Sequence, residues 1–169
     1  MNCDTYYVEG NRGYEISYYQ DGTKQSESVY EINAKTLRKL RELSYTVWYE
    51  NGSVRSETKT EDGKTLTKAY SENGTLLEHY EKEGNTEITT KYYNNGNKKS
   101  QKETNYKNNS SIGSVTSRME WYENGTLKYE LSADLDGFIH YERKYYENGV
   151  LIFERTNVEP PIQSPDIIE

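Results

Sequence analysis

Cysteine, proline, histidine and long aliphatic runs are all scarce in this chain, and each shortage removes a class of protein. The single cysteine, Cys3, excludes an internal disulfide framework. Only two histidines occur, His79 and His140, and neither stands at metal-ligand spacing from the other or from Cys3. Both read as surface strand residues. No stretch is apolar for the ~20 residues that a membrane helix needs. There is no Gly-x-Ser-x-Gly elbow and no phosphate-binding loop. Apolar residues make up only 32% of the 169 residues, and the mean hydropathy is -1.12. Taken alone, those values suit a disordered chain.

Against that stand 18 tyrosines. Each carries a large apolar ring with one polar tip. A chain poor in leucine, isoleucine and valine cannot fill a thick core. One rich in tyrosine can cover a thin sheet, where half-buried rings are favoured. The formal charge of -7 repels a nucleic-acid backbone and an anionic membrane and attracts a basic protein. No hydrophobic leader opens the sequence, which points to the cytoplasm. Cys3-Asp4 resembles the start of a processed lipoprotein, so an exported, lipid-anchored protein is the alternative.

A short motif recurs six times, as Tyr18-Tyr19-Gln20-Asp21-Gly22, Trp48-Tyr49-Glu50-Asn51-Gly52, Tyr70-Ser71-Glu72-Asn73-Gly74, Tyr92-Tyr93-Asn94-Asn95-Gly96, Trp121-Tyr122-Glu123-Asn124-Gly125 and Tyr145-Tyr146-Glu147-Asn148-Gly149. Successive turn glycines lie 30, 22, 22, 29 and 24 residues apart. Such a period marks an array of small supersecondary units. A second set of glycines, Gly10, Gly63, Gly84, Gly113 and Gly137, precedes the main ones by 11 or 12 residues. Each repeat therefore reads as a hairpin with a turn at either end. Asn or Asp before glycine tolerates the turn and can bond its own backbone.

Turn type decides the pairing. A three-residue loop, a type I turn with a G1 bulge, sets the aromatic four before glycine opposite the residue two after it. Trp48 then faces Val54, Tyr70 faces Leu76, Trp121 faces Leu127 and Tyr145 faces Leu151. Such pairs contribute roughly 0.2–1 kcal/mol each. A two-residue loop would substitute the tyrosines three before glycine. The three-residue loop is preferred because it gives both tryptophans an aliphatic partner. With strand alternation, Tyr18, Trp48, Tyr70, Tyr92, Trp121 and Tyr145 form a ladder on one face. Tyr19, Tyr49, Tyr93, Tyr122 and Tyr146 form a row on the other. The residues five after glycine, Glu27, Glu57, His79, Gln101, Glu130 and Glu154, make a mostly acidic column.

The period breaks twice. At 31–44 the spacing lengthens and no half-turn glycine appears. Asn33 can cap a helix, and Leu37, Leu40 and Leu43 recur at three-residue spacing, so a short helix is predicted there. Its charged face carries Lys35, Arg38, Lys39 and Arg41. At 101–112 a polar, Asn/Ser-rich stretch reads as a longer loop. Residues 157–169 hold all three prolines and read as an acidic, flexible tail leaving the sheet. The expected fold is all-β, an elongated single-layer antiparallel meander over 1–156 with one short helical insert.

The Tyr-Tyr-x-Asn-Gly-x-Leu unit, repeated over about 6–156, resembles the MORN-type repeats, specifically the bacterial variant of YwqK-like proteins. The resemblance implies stacked hairpins. It also implies an antitoxin or immunity role, since such proteins carry that description. Eukaryotic MORN proteins serve as scaffolds, and lipid binding has been proposed for them. The acidity of this chain speaks against lipid.

No catalytic constellation, cofactor site or metal site is expected from the sequence. The expected function is a non-enzymatic protein-binding module, an antitoxin or immunity protein blocking a toxin. A surface protein with a structural or adhesive role is the alternative. Candidate partner-binding residues are Tyr19, Tyr49, Tyr93, Tyr122 and Tyr146, with Lys35, Arg38, Lys39 and Arg41. A protein partner is expected, with neither nucleic acid nor membrane lipid. An open sheet has two edges, through which homo-oligomers could form.

Overall fold

The computed structural model describes residues 5–107 and 112–158. Thirteen strands form one open sheet whose spatial order is the sequence order. They are β1 Thr5–Glu9, β2 Arg12–Tyr18, β3 Lys24–Ile32, β4 Lys39–Trp48, β5 Val54–Glu61, β6 Lys64–Tyr70 and β7 Leu76–Glu83. β8 Thr86–Tyr92, β9 Lys98–Tyr106, β10 Gly113–Trp121, β11 Leu127–Ala133, β12 Ile139–Tyr145 and β13 Leu151–Val158 complete it. Every neighbouring pair is antiparallel. Thirteen strands at ~4.8 Å spacing make a ribbon ~58 Å across.

The six main turns set this register. In each, the glycine N–H donates to the carbonyl of the residue three before it. That residue's own N–H donates to the carbonyl just after the glycine, as in Gly52 to Tyr49 at 2.9 Å and Tyr49 to Ser53 at 2.9 Å. This is the three-residue loop with its bulge, and the predicted pairs follow. Trp48 stands opposite Val54, Tyr70 opposite Leu76, Trp121 opposite Leu127 and Tyr145 opposite Leu151. The Asn or Asp before glycine closes the loop further by accepting the N–H two residues on, as Asn51 Oδ1 does from Ser53 at 2.9 Å.

At the other sheet end β1–β2, β5–β6 and β7–β8 close with two-residue loops, whereas Asp134 to Phe138 repeats the main-turn pattern and the β3–β4 turn is longer. Asp62-Gly63 has positive φ at both residues, 48° and 79°, the pattern of a type I′ loop. Gly113 does not belong to this set. It opens β10 opposite Tyr106 without a positive φ, and a Cβ there would lie 2.5 Å from the Thr104 methyl. Glycine is required at 113 by close approach, whereas its predicted counterparts need the left-handed conformation.

Two further expectations are corrected. The helix predicted within 31–44 is absent: β3 runs to Ile32 and β4 starts at Lys39. Asn33 does cap, its Oδ1 accepting the N–H groups of Lys35 and Thr36 at 3.0 Å each. The turn then stops at Leu37, whose φ is 55°. A short helix with nothing to pack on cannot offset its nucleation cost, while β3 offers a ladder of backbone bonds. Leu40 consequently projects into solvent. The loop predicted at 101–112 is also shorter, because β9 continues through Tyr106; residues 108–111 lie outside the described residues. The array extends to Val158, and the rest of the predicted tail lies outside the described residues, as does Cys3.

The core is as thin as the composition dictates. Among the described residues the only buried hydrophobics are Ile16 and Ile32. Register fidelity therefore depends on the turns. Gly52→Ala places no atom within 4 Å of a neighbour, so its cost is the positive φ of 80° alone, about 1–2 kcal/mol. Gly52→Asn, which tolerates that conformation, should lose less than half as much. Urea denaturation followed by far-UV circular dichroism checks the order.

Candidate functional site

Register fixes what each face displays. On one face, Ile16, Glu27, Thr46, Glu57, Lys68, His79, Thr90, Gln101 and Met119 stand opposite one another from β2 to β10. The predicted acidic column lies within this line. The aromatic ladder belongs to the same face and is tied to the column. Tyr70 donates its hydroxyl to Glu57 at 2.8 Å, and Tyr145 donates to Glu130 at 2.7 Å. Burial and the Glu57 carboxylate push the Tyr70 phenol up to about 12. The Glu130 bond, followed by burial, raises that of Tyr145. His79 replaces glutamate in the column. Its Nε2 is covered, with Glu81 3.4 Å away, so it is less solvated than the sequence reading holds.

The tyrosines three before glycine have a different task. Tyr19 donates its hydroxyl to the Trp48 carbonyl at 2.6 Å, and Tyr49 to that of Tyr70 at 2.8 Å. Tyr93 donates to Trp121 and Tyr122 to Tyr145, each at 2.9 Å. Each hydroxyl reaches the end of the next repeat. Side-chain amides run beside them: Asn95 Nδ2 donates to the Glu123 carbonyl at 2.9 Å and Asn51 Nδ2 to that of Glu72 at 3.3 Å. Ser71 cannot make the tyrosine bond, so the third repeat lacks it. Tyr146, in the last repeat, is 56% exposed.

Five predicted binding tyrosines thus divide into four half-buried ties and one exposed ring. A fourth column, three after glycine, escaped the sequence reading. There Arg55, Lys99 and Lys128 lay their cations over Tyr49, Tyr93 and Tyr122 at 5.8, 5.5 and 5.6 Å. The recurring long basic residue opposite a tyrosine was its sequence signal.

The predicted basic cluster is not brought onto one helix face. Lys39 pairs with Glu15 and lies 4.1 Å from the Tyr30 ring centroid, and Arg41 Nε pairs with Glu31 at 2.6 Å. Lys35 and Arg38 stay on the exposed β3–β4 turn. The larger collection of cations lies elsewhere, in a groove of about 570 Å³ crossing β7 to β11. Tyr93 supplies a flat wall on this face, whereas the Trp121 ring lies on the ladder face, 5.5 Å from Lys98 Nζ. Among the described residues, no group of three or more His, Cys, Asp or Glu side chains is arranged to hold a metal ion.

Two stretches, residues 117–133 and 141–156, match the MORN repeat variant. They cover β10–β11 and β12–β13, each a pair of strands around one main turn. These two stretches are therefore similar to MORN-type repeats, and the earlier hairpins share their turn geometry. No curated protein matches the chain.

If the tyrosine ties hold neighbouring repeats, Tyr49→Phe should cost about 0.5–1.5 kcal/mol, the worth of one hydrogen bond. Ser71→Tyr should gain stability by supplying the missing tie. Urea midpoints of both variants against the parent protein check this. Alkaline unfolding gives a second test. A phenol whose folded pKa is raised contributes stability that is present below its unfolded value near 10 and lost as pH rises through the folded value. With Tyr70 at about 12, stability should fall between about pH 10 and 12. Tyr70→Phe should remove a phenol titrating at about 12 from the absorbance curve at about 295 nm.

Proposed function

We propose that this is a non-catalytic protein-binding module, and that its partner is a toxin which it covers and blocks as an antitoxin or immunity protein. The observation carrying the reading is the single-layer sheet itself, with Ile16 and Ile32 the only buried hydrophobics among the described residues. Nearly every side chain on both faces is at least partly accessible, and the backbone beneath them is fixed by turns and interstrand bonds. A rigid surface of that kind binds without the ordering cost that a flexible one incurs. A standard interface takes roughly 800 Å² from each partner, which a ribbon ~58 Å across offers on either face. The MORN-type repeats support a binding role, since these repeats are often protein- or membrane-binding modules. The net charge of -7 favours protein over an anionic membrane. The antitoxin form of the reading rests on the resemblance of the repeat unit to YwqK-like proteins.

The test is co-purification of the tagged protein from a native lysate, followed by expression of the retained partner with and without it. A partner that arrests growth alone and is harmless together with this protein is the expected result. Retention of no protein under any condition overturns the binding reading. A partner that is harmless by itself overturns the antitoxin form.

A further inference from the structure

We infer that the groove over β7 to β11 is the docking site for an extended acidic peptide segment of the partner, held by the ammonium groups of Lys99, Lys102 and Lys128. The inference rests on the protein-binding reading above and adds the surface and the chemistry of its occupant.

The charge balance of the groove runs against that of the chain. Five cations line it, Lys91, Lys99, Lys102, Arg118 and Lys128, against two carboxylates, Glu78 and Glu120. Both carboxylates are engaged: Glu78 lies 3.2 Å from Lys91 and Glu120 2.5 Å from Arg118. Among the described residues the other three ammoniums face no carboxylate within 4.0 Å. Elsewhere on the sheet Lys59, Lys68 and Lys98 also lack a carboxylate within 4.0 Å among the described residues, but they are not gathered in one groove, and other lysines are paired. Lys64 meets Glu81 at 3.0 Å and Lys82 meets Glu87 at 2.8 Å. Lys99 and Lys128 lie over the Tyr93 and Tyr122 rings, which orients them without neutralising them. Neighbouring like charges on a sheet repel, and an anionic ligand would relieve that repulsion.

Dimensions and surroundings select the occupant. Four interstrand steps from β7 to β11 span ~19 Å, the length of about six extended residues. Carboxylates on alternate residues of such a segment recur every ~6.6 Å on one side. The Tyr93 ring offers a flat surface to the stems between them. The positive field is local, because the chain as a whole is acidic and the screening length is ~8 Å at physiological salt. A short acidic segment can lie wholly within it. A nucleic-acid strand or a membrane would extend beyond it onto repelling surface.

Isothermal titration calorimetry reads binding without a reporter side chain. The full chain is titrated with a peptide of about eight alternating glutamates and aspartates, at about 50 and 300 mM salt. The expected result is a saturable heat of binding, weaker at high salt. Introducing Lys99→Gln, Lys102→Gln and Lys128→Gln together should weaken binding at least ~10-fold. Lys35→Gln with Arg38→Gln, on the remote β3–β4 turn, should leave it unchanged. Circular dichroism confirms that each variant is folded.

Absence of saturable binding, or equal binding by the triple variant, overturns the inference. Tighter binding of a single-stranded oligonucleotide of about eight residues does so too, as does tighter binding of phosphatidylcholine vesicles containing phosphatidylserine. Peptide binding that emerges only after Glu159, Asp166 and Glu169 are neutralised would assign the groove to the chain's own segment and overturn it as well. The two readings fail separately. A native partner still retained in full by the triple variant sinks the groove and leaves protein binding intact.

Discussion

Each hairpin of this sheet that turns at the far end is closed there by its own loop and left open at the main-turn end. At that open end a tyrosine hydroxyl from the preceding turn reaches the last carbonyl of the strand beyond. Tyr19, Tyr49, Tyr93 and Tyr122 do so across β3–β4, β5–β6, β9–β10 and β11–β12. A layer with two buried hydrophobic side chains among its described residues has little cohesion from its core. Bonds that stop hairpin ends from opening then carry weight they would not have in a globular domain. The main-turn glycine sets register, the hydroxyl ties one repeat to the next, and the broad faces follow from both.

The same economy governs charge. On the ladder face, carboxylates accept from phenols and guanidinium groups, as Glu130 does from Tyr145 and Arg143. The other face carries the groove, where three ammoniums have no carboxylate partner among the described residues. That the two faces differ follows from strand alternation acting on columns of fixed chemistry. The residues two and five after each glycine face the ladder side. The tyrosines three before it and the basic residues three after it face the groove side.

Much of the fold was legible because glycine, asparagine and the flanking aromatics recur at fixed offsets. The choice of a three-residue loop followed from giving each tryptophan an aliphatic partner, and Trp48 opposite Val54 and Trp121 opposite Leu127 bear it out. The insert was misread because Leu37, Leu40 and Leu43 match a helical spacing. Periodicity cannot tell that three leucines will have nothing to pack against. Gly113 was grouped with turn glycines by spacing, although its constraint is the Tyr106 ring opposite. The site was less legible. The tyrosines three before glycine look like a row of exposed rings. Their column holds tyrosine or serine and never phenylalanine, while the ladder column accepts tryptophan, and that difference was the available sign of a hydroxyl at work. The groove cations come from β8 to β11, so only the register brings them together.

Hairpin β7–β8 is the natural control, because Ser71 leaves its open end without a tyrosine tie. Native-state amide hydrogen exchange reads each hairpin separately. Exchange should be faster at the open end of β7–β8, around Glu78 and Lys91, than at the corresponding end of β5–β6, around Ser56 and Ala69, although β7–β8 lies at the middle of the sheet, farthest from its fraying edges. Equal protection at the two ends, or greater protection at β7–β8, would mean that the tyrosine hydroxyls do not hold the hairpin ends closed.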